Sequence, residues 1–180
     1  PLSFLAIRYA LSALCFGLWI AWARVSWPTS RSQWLHLGVT GIFMHAGYLG
    51  GVWVAVKLGL GAGLAALIVG LQPILTAIWM SVQGTQHRVA PRQWLGLLLG
   101  LGGLMLVVWH KLGVGEANGI SVAAGVLAML SITAGTLYQK RWVQPCDVRT
   151  ANTVQLLAAL VVTLPLALLE QESIVLHPQF

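Results

Sequence analysis

Acidic residues are almost missing from this chain: four Asp and Glu stand among 180 residues, against ten Lys and Arg. Charged residues of both signs make up only 8% of the chain, where a soluble domain carries about 25%. With 58% hydrophobic residues and a mean hydropathy of +0.82, that scarcity excludes a soluble globular domain and points to an integral membrane protein. The formal net charge is +6, but the basic residues stand singly or in pairs between apolar blocks. No basic stripe interleaved with aromatics is present, which argues against a nucleic-acid partner.

Cysteine is also scarce. Cys15 and Cys146 fall in different predicted environments, so no disulfide framework is expected. The chain opens at Pro1 without an initiator Met or a basic n-region, so no signal peptide is expected and the sequence reads as starting inside a longer frame. Catalytic and metal-binding motifs are absent too. His36, His45, His87, His110 and His177 form no His-Glu-x-x-His or other ligand cluster, and no Gly-x-Ser-x-Gly occurs. No acidic residue lies inside an apolar block, which removes a paired-carboxylate mechanism. Neither an enzyme, a metal site nor a cofactor is expected.

What the chain does have is six long apolar segments: Leu2 to Ala23, Leu35 to Val56, Gly61 to Val82, Pro91 to Trp109, Ile120 to Leu137 and Thr150 to Leu169. Each holds about 18 to 22 residues, the length that crosses a hydrocarbon core of roughly 30 Å as a helix. None alternates apolar and polar residues as a membrane β-barrel strand does. The fold class is therefore all-α, a polytopic transmembrane bundle with six spans. The segment from Gly61 to Val82 is uncharged and rich in small residues, with Gln72-Pro73 near its centre. Pro73 has no N–H, so the Val69 carbonyl is expected to lose its helical partner. A freed carbonyl at that depth is tolerated only against protein or a watery cavity.

Six crossings sort the loops onto two sides. One side receives Arg24, Arg31, Arg88, Arg92, Lys140, Arg141 and Arg149; the other receives Lys57 and Lys111, while Arg8 lies inside a span. Seven against two places the first side in the cytoplasm. Glu116, Glu170 and Glu172 fall on the outer side. Most tryptophans lie near the span ends, as an interfacial belt requires.

Small-xxx-small pairs at Gly47/Gly51, Gly59/Gly63, Gly96/Gly100, Ala62/Ala66 and Ala124/Ala128 predict close helix packing. The run Gly59-x-Gly61-x-Gly63 lacks a preceding strand and is not a nucleotide loop. The polar residues inside the spans carry the functional reading. Gly41, His45, Tyr48 and Val52 share one helical face, as do Ala65, Val69, Gln72 and Thr76. His45 and Gln72 each lie ten or eleven residues into their segments, near the midplane. Ser131, Gly135 and Tyr138 in the fifth segment, and Asn152, Gln155 and Thr163 in the sixth, add to them. Two readings stand side by side: a solute pathway between helices, or interhelical hydrogen bonds that hold the bundle together. The pathway set is His45, Tyr48, Gln72, Pro73, Thr76, Tyr138 and Gln155, with Tyr48, Gln72 and Pro73 expected to meet at one depth. Arg8 is expected either to contact an anionic substrate group, to snorkel outward, or to pair with carbonyls of a helix outside this sequence.

Five stretches in order resemble the EamA-type family of the drug/metabolite transporter superfamily. Pro1-Leu-Ser-Phe-Leu-Ala-Ile-Arg8-Tyr9 looks like the start of that family's second helix, and Gly63-Leu-Ala-Ala-Leu with Gln72-Pro73 looks like its fourth. Pro91-Arg-Gln-Trp-Leu-Gly96 looks like the fifth, Gly135-Thr-Leu-Tyr-Gln-Lys-Arg141 like the end of the sixth, and Asp147-x-Arg149-Thr-Ala-Asn152-x-x-Gln155 like the start of the seventh. The resemblance implies ten helices in two inverted five-helix repeats. Residues 1–111 would then be the first repeat without its first helix, and 112–180 the start of the second. It implies a secondary transporter, an alternating-access exporter of a small organic metabolite in the bacterial inner membrane, with amino acids, their derivatives or drugs as the substrate class. The rival is a structural or regulatory membrane bundle that transports nothing. One departure from the family pattern is Gly84-Thr85, where the family usually reads Gly-Glu.

Overall fold

The computed structural model describes residues 2–83, 89–109 and 117–170. Gly84-Thr85, Arg88, Lys111, Glu116, Glu172, His87, His110 and His177 lie outside the described residues. Among the described residues, six helices are long and apolar enough to cross a membrane: α1 (Leu2–Ala23), α2 (Arg31–Lys57), α3 (Ala62–Val82), α4 (Pro91–Val108), α5 (Gly119–Trp142) and α6 (Val148–Leu169). They coincide with the six apolar segments, and the polytopic all-α bundle is as expected. α5 runs on past the predicted Leu137 to Trp142. Lys140 and Arg141 sit in its last turn, where cations suit the negative end of the helix dipole.

Helix ends are set by local chemistry. Asn118 caps α5 by accepting from the Ser121 N–H at 2.8 Å, while the Ser121 hydroxyl accepts from the Asn118 N–H at 3.1 Å. Asp147 caps α6 through the Arg149 N–H at 2.9 Å. Gln93 Oε1 accepts from the Ala90 N–H at 2.8 Å, just before Pro91 opens α4. Gly59 turns the α2–α3 corner with φ of 97°, a left-handed conformation that a side chain would strain.

Two spans are irregular. α3 breaks at Leu71 into Ala62–Gly70 and Gln72–Val82, so that Pro73 falls in the first turn of the second piece, where its missing N–H costs nothing. Backbone N–H groups at that break reach the Ile68 and Val69 carbonyls. The expectation that Pro73 leaves the Val69 carbonyl free is thereby corrected: a tightened turn takes it up. α2 holds a second irregularity that nothing in its sequence announced. Ile42–Gly50 is a π-helical stretch, bonded i→i+5, between the α-helical Arg31–Gly41 and Gly51–Lys57.

Neighbours in the bundle follow the order α1, α6, α2, α5, α3, α4. α2 is the central helix, packed on α6 and on α5. It meets α3 chiefly near their connecting turn. One apolar core joins Leu5, Tyr9 and Ala13 of α1 to Leu156 and Ala159 of α6. A second joins Ala55 and Leu60 to Ala65 and Ile68 of α3 and Met129 of α5. Close approach is concentrated around α2. A Cβ on Gly41 would strike the Gln155 backbone, one on Gly47 would strike the Ser131 hydroxyl, and one on Gly51 would lie 2.9 Å from Ala128 Cβ. Gly47/Gly51 and Ala128 therefore pack as their spacing predicts. Gly96/Gly100 does not: a Cβ at either meets nothing within 4 Å, because α4 is the edge helix and that face has no neighbour.

Contacts between loops reproduce the two sides expected from charge. At one end Gln33 Nε2 donates to the Gln144 carbonyl at 3.1 Å, Lys140 Nζ lies 3.5 Å from Met80 Sδ, and the Arg149 guanidinium sits 5.4 Å over the Trp19 ring. At the other end Glu170 accepts from the Leu2 N–H at 2.8 Å and pairs with Lys57 at 3.1 Å, while Asn118 Nδ2 donates to the Leu58 carbonyl at 3.3 Å. The first end carries the arginines.

Candidate functional site

The π stretch determines which polar groups meet. A carbonyl displaced from the i→i+4 ladder can turn toward a neighbouring helix, and two here do so. The Tyr9 hydroxyl of α1 donates to the His45 carbonyl at 2.9 Å, and the Ser131 hydroxyl of α5 donates to the Phe43 carbonyl at 2.8 Å. The side chains of His45 and Gln155 face each other across the α2–α6 contact. Gly41, one turn earlier on α2, lies against the Gln155 backbone where a Cβ would not fit, so the two helices approach this closely because position 41 has no side chain. Tyr9 is 1% exposed and Gln155 6% exposed. His45 is half-buried, and Arg8 is exposed beside Tyr9.

Two cavities open near the arginine-rich end. The smaller, about 320 Å³, is lined by Gln139, Lys140, Gln144, Cys146, Asn152 and Gln155 together with apolar residues of α2, α5 and α6. It leads from the α5–α6 loop to Gln155, and so to the His45 junction. The larger, about 880 Å³, lies between α3 and α5 and is lined mainly by apolar side chains, with Tyr138, Lys140 and Arg141 among its walls.

Of the residues expected to form a pathway, His45 and Gln155 are brought together. Tyr138 stands elsewhere: its hydroxyl is 2.7 Å from His36 Nδ1, and His36 stacks on Trp142 with ring centroids 5.6 Å apart. Gln72 and Thr76 pair within their own helix, Gln72 Nε2 donating to Thr76 Oγ1 at 3.3 Å and Thr76 Oγ1 donating to the Gln72 carbonyl at 3.0 Å. Pro73 is exposed. The expected meeting of Tyr48, Gln72 and Pro73 is not found, because α3 packs on α5 and α4 and leaves the middle of α2 to α5 and α6. Tyr48 is half-buried and makes no side-chain hydrogen bond among the described residues. Arg8 forms no ion pair or hydrogen bond to a carbonyl among the described residues.

Three participants escaped the sequence reading. Tyr9 was read only as Arg8's neighbour. His36 was set aside for want of a ligand cluster, although Tyr138 and Trp142 at i, i+4 on α5 form the aromatic face that receives it. Cys146 and Asn152 line the smaller cavity, and Asn152 alone had been noted as polar. Among the described residues, no three His, Cys, Asp or Glu side chains gather where they could hold a metal.

At the mouth, Asp147 and Arg149 are clamped by two side-chain bonds of 3.0 and 2.9 Å. These bonds from the Arg149 guanidinium, with its backbone N–H, hold the Asp147 carboxyl down to about 2. The clamp keeps the α6 N-terminus against Trp19 of α1.

Six apolar helices, ends sorted by charge and polar groups meeting inside the bundle define a multi-pass integral membrane protein built as a transporter is built. The chain belongs to the EamA-like transporter family, a member of the drug/metabolite transporter superfamily, whose sequence model matches residues 1–109. Membership implies a small-molecule solute and a lipid bilayer as its partners. No curated protein and no solved structure matches the chain.

Proposed function

We propose that this chain moves a small organic metabolite outward across the bacterial inner membrane by alternating access, as a permease with its arginine-rich end in the cytoplasm. The observation that carries this reading is the cavity of about 320 Å³ reaching from the α5–α6 loop to Gln155, whose side chain faces His45 on the π stretch. A donor–acceptor pair at the end of a polar inlet offers a solute hydrogen bonds on a helix already departed from regular bonding. His45, Gln155 and Tyr48 form the first wall of the path. Gln72, Pro73 and Thr76, beside the break in α3, and Tyr138 form a second, and Arg8 is the candidate contact for an anionic group. Amino acids and their derivatives combine the polar groups that such walls recognise.

The division into a first repeat over 1–111 and a second from 112 onward belongs to the same proposal. It is supported by the family match to residues 1–109 and by α5 starting afresh at Gly119. The test is a comparison of extracellular metabolites between cells expressing the complete reading frame and cells without it. Accumulation of one solute class outside the expressing cells is expected. Identical pools under amino-acid and drug loading would favour a structural bundle.

A further inference from the structure

We infer that the larger cavity, between the second half of α3 and the second half of α5, is a binding groove for a phospholipid with an anionic headgroup. It shares Lys140 with the mouth of the polar inlet, but its chemistry differs. Trp79, Met80, Leu130, Ala134 and Leu137 line it, with Gln83 at its interfacial end. The two hydroxyls there are already engaged: Thr133 Oγ1 donates to the Met129 carbonyl at 2.8 Å, and the Tyr138 hydroxyl is bonded to His36. The body of the groove thus offers little to a polar solute and much to an acyl chain.

Its length fits one leaflet. From Leu130 to Arg141 along α5 the groove wall runs about 16 Å, against roughly 15 Å for half of a hydrocarbon core. Charge then selects the headgroup. Lys140 and Arg141 line the groove at the α5 C-terminus, where a span meets the interface. Neither is paired with a carboxylate among the described residues. Lys140 Nζ has only the Met80 sulfur, at 3.5 Å, and the Arg141 guanidinium lies 5.5 Å over the Trp142 ring. The described carboxylates are Asp147, clamped by Arg149, and Glu170 at the opposite end with Lys57. Two exposed cations above an apolar slot one leaflet deep, with no described acidic side chain to satisfy them, suit a lipid phosphate.

The purified chain in neutral detergent, offered phosphatidylglycerol or phosphatidylcholine of identical acyl chains, tests this by native mass spectrometry. At about a five-fold preference per interfacial cation, phosphatidylglycerol should be favoured by roughly 25-fold. Lys140→Gln with Arg141→Gln should abolish the preference, whereas Arg141→Lys should keep it. Arg31→Gln with Arg92→Gln, which removes two cations of the same end that do not line the groove, should also leave it intact. Equal binding of the two lipids, or a preference that survives the double Gln variant, would overturn the assignment. Displacement of bound lipid by glycerol 3-phosphate at matching concentration would also overturn it, since the site would then serve a free anion. Because retention of lipid is read directly, its failure would leave the transport proposal untouched.

Discussion

The hydroxyl of Tyr9 donates to the backbone carbonyl of His45 across 2.9 Å, and the two rings meet nearly edge-on with centroids 5.9 Å apart. This bond ties α1 to the irregular middle of α2. Tyr9→Phe keeps the ring and removes only the donor, so the bundle should fold with about 1 kcal/mol less stability. Unfolding in mixed micelles measures this. A loss below a few tenths of a kcal/mol would mean that the carbonyl is satisfied within its own helix.

The seat of α2 on α6 depends on position 41. Gly41→Ala drives a methyl into the Gln155 backbone, which neither helix can yield without moving. Overpacking of this kind costs about 1–3 kcal/mol and should also part His45 from Gln155. Gly100→Ala on the edge helix, with open space around it, should be neutral or slightly stabilising. Thermal melting of the two variants side by side separates them, and equal melting temperatures would contradict the packing described.

How much of this was legible in the sequence differs by level. The six spans and their two ends were, because hydropathy length and Lys/Arg position are one-dimensional signals that survive any packing arrangement. The π stretch was not: residues 42–50 contain no proline, and a face drawn at 3.6 residues per turn through His45 and Tyr48 assumes the ladder that is lost there. Depth alone suggested that Gln72 and Tyr48 meet. Depth says nothing about which helices are neighbours, and α5 takes the place beside α2 that α3 was given. The strongest clue was the glycine cluster at 41, 47, 50 and 51, which marks α2 as the helix that others approach most closely.

Acid should loosen the α6 N-terminus. Asp147 titrates near 2 when folded, below its ordinary 3.8, so its clamp on Arg149 contributes fully above about pH 4 and is lost as pH falls toward 2. Asp147→Asn keeps a capping side chain but removes the charge. It should flatten the pH dependence of hydrogen exchange at residues 148–153 across that window. An unchanged acid profile would show that the clamp has no influence there.

Cys146 reports both topology and path. It lies in the loop of the arginine-rich end and lines the inlet to Gln155. An impermeant thiol reagent should leave it unmodified in intact cells and label it once the membrane is opened. In opened membranes, the transported solute should slow that labelling. Cys15, exposed on α1 and away from the inlet, should be insensitive to solute. Rapid modification from outside would reverse the orientation, and indifference to solute would remove the inlet from the path.

The central claim is that solute passes the Gln155–His45 junction, and apparent affinity for the exported metabolite in Gln155→Leu tests it most directly. Gln155→Leu removes one largely buried hydrogen-bonding group at nearly constant volume, worth about 1–3 kcal/mol, so affinity should fall roughly five- to 150-fold. Gln72→Leu, which breaks only a pair within α3, belongs beside it. It should fold normally and weaken transport if the second wall also lines the path. Expression and melting temperature close to those of Gly100→Ala establish that the bundle is intact. A Gln155→Leu protein that folds normally and exports with unaltered affinity and rate would contradict the account, leaving the meeting of His45 and Gln155 as helix packing and nothing more.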